Sequence, residues 1–218
     1  MANFEYEQTY WWNGMEVVVG LDEAGRGPIA GPLVIGCVVF PPFYDNTEFN
    51  DSKLLSDKKR RMLLEHIKRD AAFYCTEIIS VEEVDQYNIY AATQLGMERA
   101  IKRIKEKVEA VLTDAMPLPH ITFAPVTPII KGDQKSVTIA AASILAKVTR
   151  DDIMIELDKK YPGYGFSKHK GYCTPQHVKA LKELGFCNIH RKTYEPVKSM
   201  IKHDEQISLD EILDKNKW

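Results

Sequence analysis

Short apolar runs bounded by glycine, proline and charged residues divide the chain into strand-like pieces. They lie at residues 17–21, 33–40, 72–79, 109–114, 120–123 and 126–130. Several are rich in β-branched side chains, which favour strands. The first two are joined by a turn rich in glycine and proline. The pattern therefore predicts a sheet that begins with two consecutive strands.

Apolar residues at helical spacing fill the segments between these pieces. Leu63, Leu64 and Ile67 predict a helix after Ser56. Further helices are predicted at 82–107, in one or two pieces, at 136–160 and at 175–184. The alanine run 140–142 at the start of the long third helix indicates close packing on the sheet. Strands followed by mixed strands and helices indicate an α/β or α+β sandwich around one central sheet.

Composition places the chain among ordinary globular proteins. Its 218 residues are 44% hydrophobic, enough for the core of one domain, and no internal repeat or second domain is evident. No apolar run approaches the roughly 20 residues that span a bilayer, and the acidic, aromatic N-terminus does not resemble a signal peptide. Four widely spaced cysteines without a C-x-x-C pair favour reduced thiols. We therefore expect a cytoplasmic protein with no membrane partner.

The net charge of −2 conceals an asymmetry along the chain. Residues 1–130 carry 13 basic against 19 acidic side chains, whereas residues 131–202 carry 14 against 7. A basic C-terminal half suits a polyanion such as nucleic acid. A solvated basic face would explain the charge equally well.

Carboxylates at the ends of predicted strands are the strongest candidates for chemistry. Asp22 and Glu23 end the first strand, Asp114 ends a later one, and Asp133 follows the last. Hard carboxylate oxygens suit Mg²⁺ or Mn²⁺. Because successive strand side chains point to opposite faces, Asp22 and Glu23 share a site only if the regular strand ends there. The glycine-containing turn 24–28 makes that plausible and allows close approach to its backbone.

The same turn also fits the dinucleotide-binding pattern G-x-G-x-x-A at residues 25–30. That fingerprint must open a helix, but Pro28 and Pro32 bracket the next turn and a second strand follows. Strand, turn and strand do not form a Rossmann unit, which argues against a nicotinamide or flavin site.

Five motifs follow one another along the chain between residues 17 and 197. They are GLDEAGRGP at 20–28, NDSKLLS at 50–56, KGDQKS at 131–136, AASILAKVTRD at 141–151 and HKGY at 169–172. Together they closely resemble type 2 ribonuclease H, ribonuclease HII. The resemblance implies an α/β fold of the ribonuclease H type, with a central mixed five-stranded sheet flanked by helices and a small C-terminal helical part.

The resemblance also assigns residues to roles. The catalytic and metal-binding carboxylates it implies are Asp22, Glu23, Asp114 and Asp133. The substrate-binding residues it implies are Gly25, Arg26, Gly27, Lys53, Ser143, Lys147 and Tyr172. In this reading the 25–27 turn contacts the ribose at the cut site, Tyr172 stacks on the next sugar, and Lys53, Ser143 and Lys147 contact phosphates. A helix cap and ion pairs suffice to explain Asp51, Asp151 and Asp152.

The implied activity is two-metal-ion hydrolysis of a phosphodiester with Mg²⁺ or Mn²⁺. Substrates would be the RNA strand of RNA–DNA hybrids and DNA duplexes with embedded ribonucleotides, cut 5′ of the ribonucleotide to leave 5′-phosphate and 3′-hydroxyl ends. The role would be ribonucleotide removal from DNA and RNA primer processing. The alternatives are a non-catalytic hybrid-binding protein and a metal-dependent DNase or resolvase on the same fold.

The two ends of the chain lie outside the motifs. We expect an N-terminal extension at 1–14, a catalytic domain at 15–200 and a C-terminal tail at 201–218 in a monomeric protein. The N-terminal aromatic residues, with no basic residue between them, favour core packing over a base-stacking platform. The tail lacks the aromatic pair of clamp-binding peptides, so a sliding-clamp interaction is unsupported and a short amphipathic helix is favoured.

Zinc is a further possibility in the C-terminal half. Five potential ligands, His169, Cys173, His177, Cys187 and His190, fall within 22 residues. The first three would share a helix face only if the helix continued through Gly171 and Pro175. The spacing therefore argues against a structural zinc site.

Overall fold

The structure is a computed structural model that describes residues 2–45, 49 and 55–201. Its strands are β1 (Val18–Ala24), β2 (Leu33–Val39), β3 (Phe73–Ile79), β4 (Ala110–Asp114) and β5 (Val126–Ile129). Its helices are α1 (Glu5–Trp11), α2 (Asp57–Asp70), α3 (Val81–Ile101), α4 (Val137–Lys160), α5 (Phe166–His169) and α6 (Pro175–Leu184). None of the helices in these ranges is both long and apolar enough to cross a bilayer.

The strands form one mixed five-stranded sheet in the order β3-β2-β1-β4-β5. Strands β1, β2 and β3 are antiparallel neighbours, whereas β1, β4 and β5 run parallel. Leu21 pairs with Thr113 at the last position of the β1–β4 ladder, so Asp22 and Asp114 follow at the same edge of the sheet. This sheet and its flanking helices confirm the predicted fold class.

Helices cover both faces of the sheet. One core cluster packs β1, β2 and β4 against α2 and α4, and also contains Phe4 and Trp11 from the N-terminal segment. A second cluster packs the opposite face against α3. The alternation of Val18 and Val19 between the two clusters reflects the two-residue period of a strand.

Helix α4 lies directly on the sheet at two glycines. A Cβ atom at Gly20 would lie 2.5 Å from Cγ2 of Thr138, and one at Gly36 would overlap the carbonyl oxygen of Ala142. The alanines 140–142 are fully buried at this contact. The close packing predicted from the alanine run is therefore confirmed, and it sets α4 against the strands that hold the acids.

Three sequence predictions are corrected. Residues 120–123 form no strand: they lie in an irregular segment that contains a turn and a bend and precedes β5. The 82–107 helix ends at Ile101; inside it, Asn88 leaves helical geometry, and its Oδ1 accepts from the backbone N–H groups of Tyr90 and Ala91. The loop predicted before Tyr172 contains the single turn α5.

The C-terminal part packs on the loop that joins β1 to β2. Ala30 joins a cluster with Met154, Tyr164, Phe166 and Ala180. The backbone N–H of Arg191 donates to the carbonyl of Ile29 at 2.9 Å, and that of Gly31 donates to the carbonyl of Ile189 at 2.8 Å. These contacts hold the segment after the 25–27 turn against residues far along the chain.

Candidate active site

Three carboxylates meet at the edge of the sheet where β1 and β4 end. One oxygen each from Asp22, Asp114 and Asp133 lies within 4.8 Å of the other two. We refer to these three residues as the acid triad. Asp133 lies on a single 3₁₀ turn. The backbone N–H of Gly132 donates to Oδ1 of Asp114 at 2.8 Å, and this hydrogen bond anchors the turn beside β4.

Glu23 lies beside the acid triad rather than within it. Strand β1 continues through Ala24, with Glu23 paired to Ile35, so the expectation that the regular strand ends at the acid pair is wrong. The antiparallel ladder with β2 keeps the backbone extended there. Glu23 nevertheless borders the same pocket, and its Oε1 accepts from Nη1 of Arg26 at 3.3 Å.

Burial and neighbouring acids disfavour the charged form of Asp22. Its side chain is almost fully buried, and this burial raises its pKa well above the usual value. The charges of Glu23 and Asp114 raise the pKa further, while hydrogen bonds from Ser143 and from the backbone N–H of Glu23 lower it. A cluster of hard oxygens whose charges disfavour one another fits a divalent cation. The acid triad is therefore a group of ligands that could hold a divalent metal ion.

A single open pocket of about 240 Å³ joins these acids to most of the other predicted site residues. It is lined by Asp22, Glu23, Ala24, Gly25, Arg26, Gly27, Asp114, Ser143, Lys147, Arg150 and Tyr172. The pocket thus brings six of the seven predicted substrate-binding residues together with three of the four acids, and Asp133 completes the triad. Lys53 and Asp51 lie outside the described residues.

Tyr172 and Lys147 border this pocket in different settings. The ring of Tyr172 is half exposed, and its Cε1 lies 3.7 Å from the position that a Cβ at Gly27 would occupy. Lys147 Nζ donates to Asp151 at 2.8 Å, one helical turn along α4. Asp152 instead pairs with Arg61 at 2.5 Å. The ion pairs expected for Asp151 and Asp152 are therefore present.

Arg150, which the sequence reasoning missed, forms part of the pocket wall. Its guanidinium is buried and donates to the carbonyls of Pro32 (3.0 Å), Lys170 (2.9 Å) and Ala30 (3.1 Å). Arg191, also missed, is fully buried nearby. The available signal for Arg150 was an arginine inside a recognised motif, three positions after Lys147.

The histidines considered for zinc form a hydrogen-bonded chain instead. His177 Nε2 lies 3.0 Å from His190 Nε2, while Cys187 Sγ lies 3.2 Å from the other ring nitrogen of His190. His177 and Cys187 therefore approach opposite sides of one ring. Among the described residues, the acid triad is the only group of three potential ligands close enough to share an ion.

Comparison with known proteins decides the family. The model of the family described as Ribonuclease HII matches residues 19–197. The chain belongs to the ribonuclease HII family. A curated ribonuclease HII from Caldanaerobacter subterraneus subsp. tengcongensis is 49% identical over 87% of this chain and 78% of its own length. The predicted recognition as a type 2 endoribonuclease H is confirmed.

Solved structures agree with this assignment. The ribonuclease H2 of Pyrococcus horikoshii OT3 is similar with a TM-score of 0.74 and 28% identity, over 85% of this chain and 97% of that one. The ribonuclease HII of Archaeoglobus fulgidus, solved in a complex with PCNA, is similar with a TM-score of 0.68 and 28% identity, over 80% of this chain and 92% of that one. Family membership supports ribonuclease H activity on RNA–DNA for this chain.

Proposed function

We propose that this ribonuclease HII family member is a metal-dependent endonuclease that hydrolyses the RNA strand of RNA–DNA hybrids and cuts 5′ of ribonucleotides embedded in duplex DNA. The observation that carries the proposal is one pocket in which the buried acids adjoin a glycine turn and an exposed tyrosine ring. Acids alone would serve many nucleases. The adjoining turn and ring add a means to recognise the sugar.

Asp22, Asp114 and Asp133, with Glu23 beside them, would hold the cations. When bound, a pair of divalent cations supplies an activated water and neutralises the phosphoryl and leaving oxygens, which would leave 5′-phosphate and 3′-hydroxyl ends. The protein's own part is to fix the acids on rigid elements. The Ser143 hydroxyl and the backbone N–H of Glu23 orient Asp22, and the N–H of Gly132 orients Asp114.

Sugar discrimination falls to the 25–27 turn and Tyr172. A 2′-hydroxyl both donates and accepts a hydrogen bond, which distinguishes RNA from DNA. The backbone of Gly25, Arg26 and Gly27 lines the pocket without bulky side chains at two of its three positions. The half-exposed ring of Tyr172 faces this turn and suits packing against the neighbouring deoxyribose.

Phosphate contacts would come from the α4 side of the pocket. Lys147 and Ser143 both lie on α4 and line the pocket beside the acids. Lys53 is proposed as a further contact on the resemblance alone. The excess of basic side chains over residues 131–202 supports binding along a polyanion.

The biological role that follows is removal of ribonucleotides from DNA and processing of RNA primers, carried out in the cytoplasm by a monomer. The family's action on nucleic acid supports this role. A sliding clamp is not part of the proposal, because the C-terminal tail lacks the aromatic pair of clamp-binding peptides.

One assay tests the function. A labelled duplex with a single embedded ribonucleotide, an RNA–DNA hybrid and an all-DNA duplex are each incubated with Mg²⁺, Mn²⁺ or chelator. We expect metal-dependent cleavage of the first two, with the ribonucleotide substrate cut on its 5′ side. Cleavage of the all-DNA duplex would favour the DNase alternative, and binding without cleavage would favour a non-catalytic hybrid-binding protein.

Variants of single residues test whether the pocket is the site of cleavage. Asp22→Asn should abolish cleavage and keep most hybrid binding, whereas the matched control Asp152→Asn, whose carboxylate pairs with Arg61 away from the pocket, should cut normally. Tyr172→Ala should reduce the preference for an embedded ribonucleotide over an all-RNA strand, and Tyr172→Phe should preserve it. Equal turnover in Asp22→Asn and wild type would contradict the assignment of the acids.

A further inference from the structure

The carbonyl groups of the 25–27 turn are held from inside the protein. Arg191 Nη2 donates to the carbonyl of Gly25 at 2.6 Å, and its Nη1 donates to the carbonyl of Arg26 at 3.0 Å. The hydroxyl of Tyr194 donates to the same Arg26 carbonyl at 2.9 Å. Two side chains more than 160 positions along the chain thus fix two consecutive peptide groups of the turn.

The Arg191 side chain is buried and binds several backbone carbonyls at once. It is fully buried and donates to three backbone carbonyls, with Gly31 as the third acceptor at 3.0 Å. The ring of Tyr194 packs on the guanidinium, with 5.0 Å between the central carbon and the ring centroid. The planar fork of arginine can span several carbonyls at once, which a lysine ammonium cannot do.

Holding the carbonyls inward determines what the turn presents outward. In a trans peptide the C=O and N–H of one unit point in opposite directions. The carbonyl of Gly25 shares its peptide with the N–H of Arg26, and the carbonyl of Arg26 shares its peptide with the N–H of Gly27. Among the described residues neither N–H has an intramolecular acceptor, and both residues line the pocket.

Hydrogen bonds from a charged donor also strengthen these N–H groups. A guanidinium bound to a carbonyl polarises the whole amide, so its N–H becomes a better donor in a shielded site. An oxygen of the substrate, on a 2′-hydroxyl or a phosphate, is the matching acceptor. A deoxyribose has no 2′-oxygen to offer.

We infer that Arg191, assisted by Tyr194, is the positioning residue that makes the 25–27 turn a pair of outward N–H donors, and thereby sets the discrimination between ribose and deoxyribose. The inference rests on the proposed function, since it explains how that site reads the sugar. Arg191 touches neither the acid triad nor the pocket surface, so its effect passes through the turn.

The test measures discrimination in the intact protein. The inhibition constant of an all-DNA duplex is divided by the KM for the same duplex with one embedded ribonucleotide. Neither constant depends on the fraction of active molecules. A variant that is only less stable should therefore show the wild-type ratio and a lower apparent kcat. Arg191→Lys should lower the ratio about tenfold, the scale of one lost charge-assisted hydrogen bond.

A conservative pair of variants keeps the test decisive if Arg191→Lys does not fold. Tyr194→Phe removes one hydroxyl from the Arg26 carbonyl and should lower the ratio about threefold, the scale of a neutral hydrogen bond. The matched control is Tyr164→Phe, whose hydroxyl donates to the carbonyl of Gly185 at 3.0 Å, away from the pocket. It should leave the ratio at the wild-type value.

The possible results distinguish the proposed function from the role of Arg191. A wild-type ratio near one would overturn the inference, whereas absence of metal-dependent cleavage at the embedded ribonucleotide would overturn the proposed function. A high wild-type ratio that survives in both Arg191→Lys and Tyr194→Phe would leave the function standing and overturn the role of Arg191. A fall of equal size in Tyr164→Phe would also overturn it.

Discussion

The Nε2 atoms of His177 and His190 lie 3.0 Å apart, and the bonds around them determine which ring donates. His177 Nδ1 lies 2.9 Å from the carbonyl oxygen of Tyr172, so Nδ1 carries the proton and Nε2 accepts. The backbone N–H of Cys187 lies 2.9 Å from Nδ1 of His190, nearer than the Cys187 carbonyl oxygen at 3.2 Å, so we assign Nδ1 as the acceptor and Nε2 of His190 as the donor. Both rings are therefore neutral, and they tie helix α6 to the backbone of the Tyr172 loop.

This pair predicts a loss of stability in mild acid. Burial, together with repulsion between neighbouring histidines, lowers the pKa of His177 and of His190 to about 4 each. Unfolded histidine titrates near 6.5, so between about pH 6.5 and 4 the unfolded state binds more protons. As the pH is lowered through that window, the free energy of unfolding should fall by up to about 1.4 kcal/mol per pH unit for each histidine. Urea unfolding at pH 7.5, 6 and 5 measures the slope.

Two variants isolate the histidine contribution from that of the carboxylates. His177→Asn retains a side-chain N–H for the Tyr172 carbonyl but cannot titrate, so it should flatten the slope. His120→Asn, which replaces an exposed histidine, should keep the wild-type slope. Identical slopes in wild type and His177→Asn would show that the pair does not control acid stability.

The contact between β2 and α4 predicts a severe effect of one methyl group. A Cβ at Gly36 would overlap the carbonyl of Ala142, and backbone cannot move as a side chain can. Gly36→Ala should therefore destabilise the protein by about 3 kcal/mol or prevent folding. At Gly14 an added Cβ meets nothing within 4 Å, and only its positive φ of 77° is strained, so Gly14→Ala should cost about 1 kcal/mol. Thermal unfolding compares them.

The sequence was sufficient where one local pattern determines the structure. Strand β2 is apolar at all but one of its seven positions because both of its faces are buried, and the pattern showed this directly. Asp114 and Asp133 could be singled out because an acid at the end of an apolar run, or shortly after one, is a local feature. The alanines of α4 predicted its contact with the sheet for the same reason.

Non-local hydrogen bonds explain what the sequence did not reveal. Arg191 acts on a carbonyl 166 positions away, so nothing near it in the chain indicates its acceptors. Glu23 remains in a strand because β2 pairs with it, although the following glycines favour a turn. The strand-like piece at 120–123 pairs with no strand of the described sheet. In each case the partner, rather than the local pattern, determines the conformation.

Removal of a buried acid should stabilise the protein while it abolishes function. Burial and the charges of Glu23 and Asp114 oppose ionisation of Asp22, so Asp22→Asn should raise the metal-free free energy of unfolding by about 1 kcal/mol. Added Mg²⁺ should raise the melting temperature of wild type more than that of the variant, because only the native state binds the ion. Asp152→Asn should show no stabilisation. A lower melting temperature in metal-free Asp22→Asn than in wild type would contradict the electrostatic argument.

Adjacent tryptophans test whether α1 belongs to the same folding unit as the sheet. Trp11 is 4% exposed and packs with Phe4, whose ring contacts Phe40 edge-on at 6.5 Å, whereas Trp12 is 73% exposed. In the same helix, Glu7 accepts hydrogen bonds from the hydroxyl of Ser136 and from the backbone N–H of Thr138 at the start of α4. Trp11→Ala should therefore lower the free energy of unfolding by about 3 to 5 kcal/mol. Trp12→Ala should change it by less than about 0.5 kcal/mol. Equal, small effects in urea unfolding would instead show that residues 1–14 do not fold as one unit with the sheet.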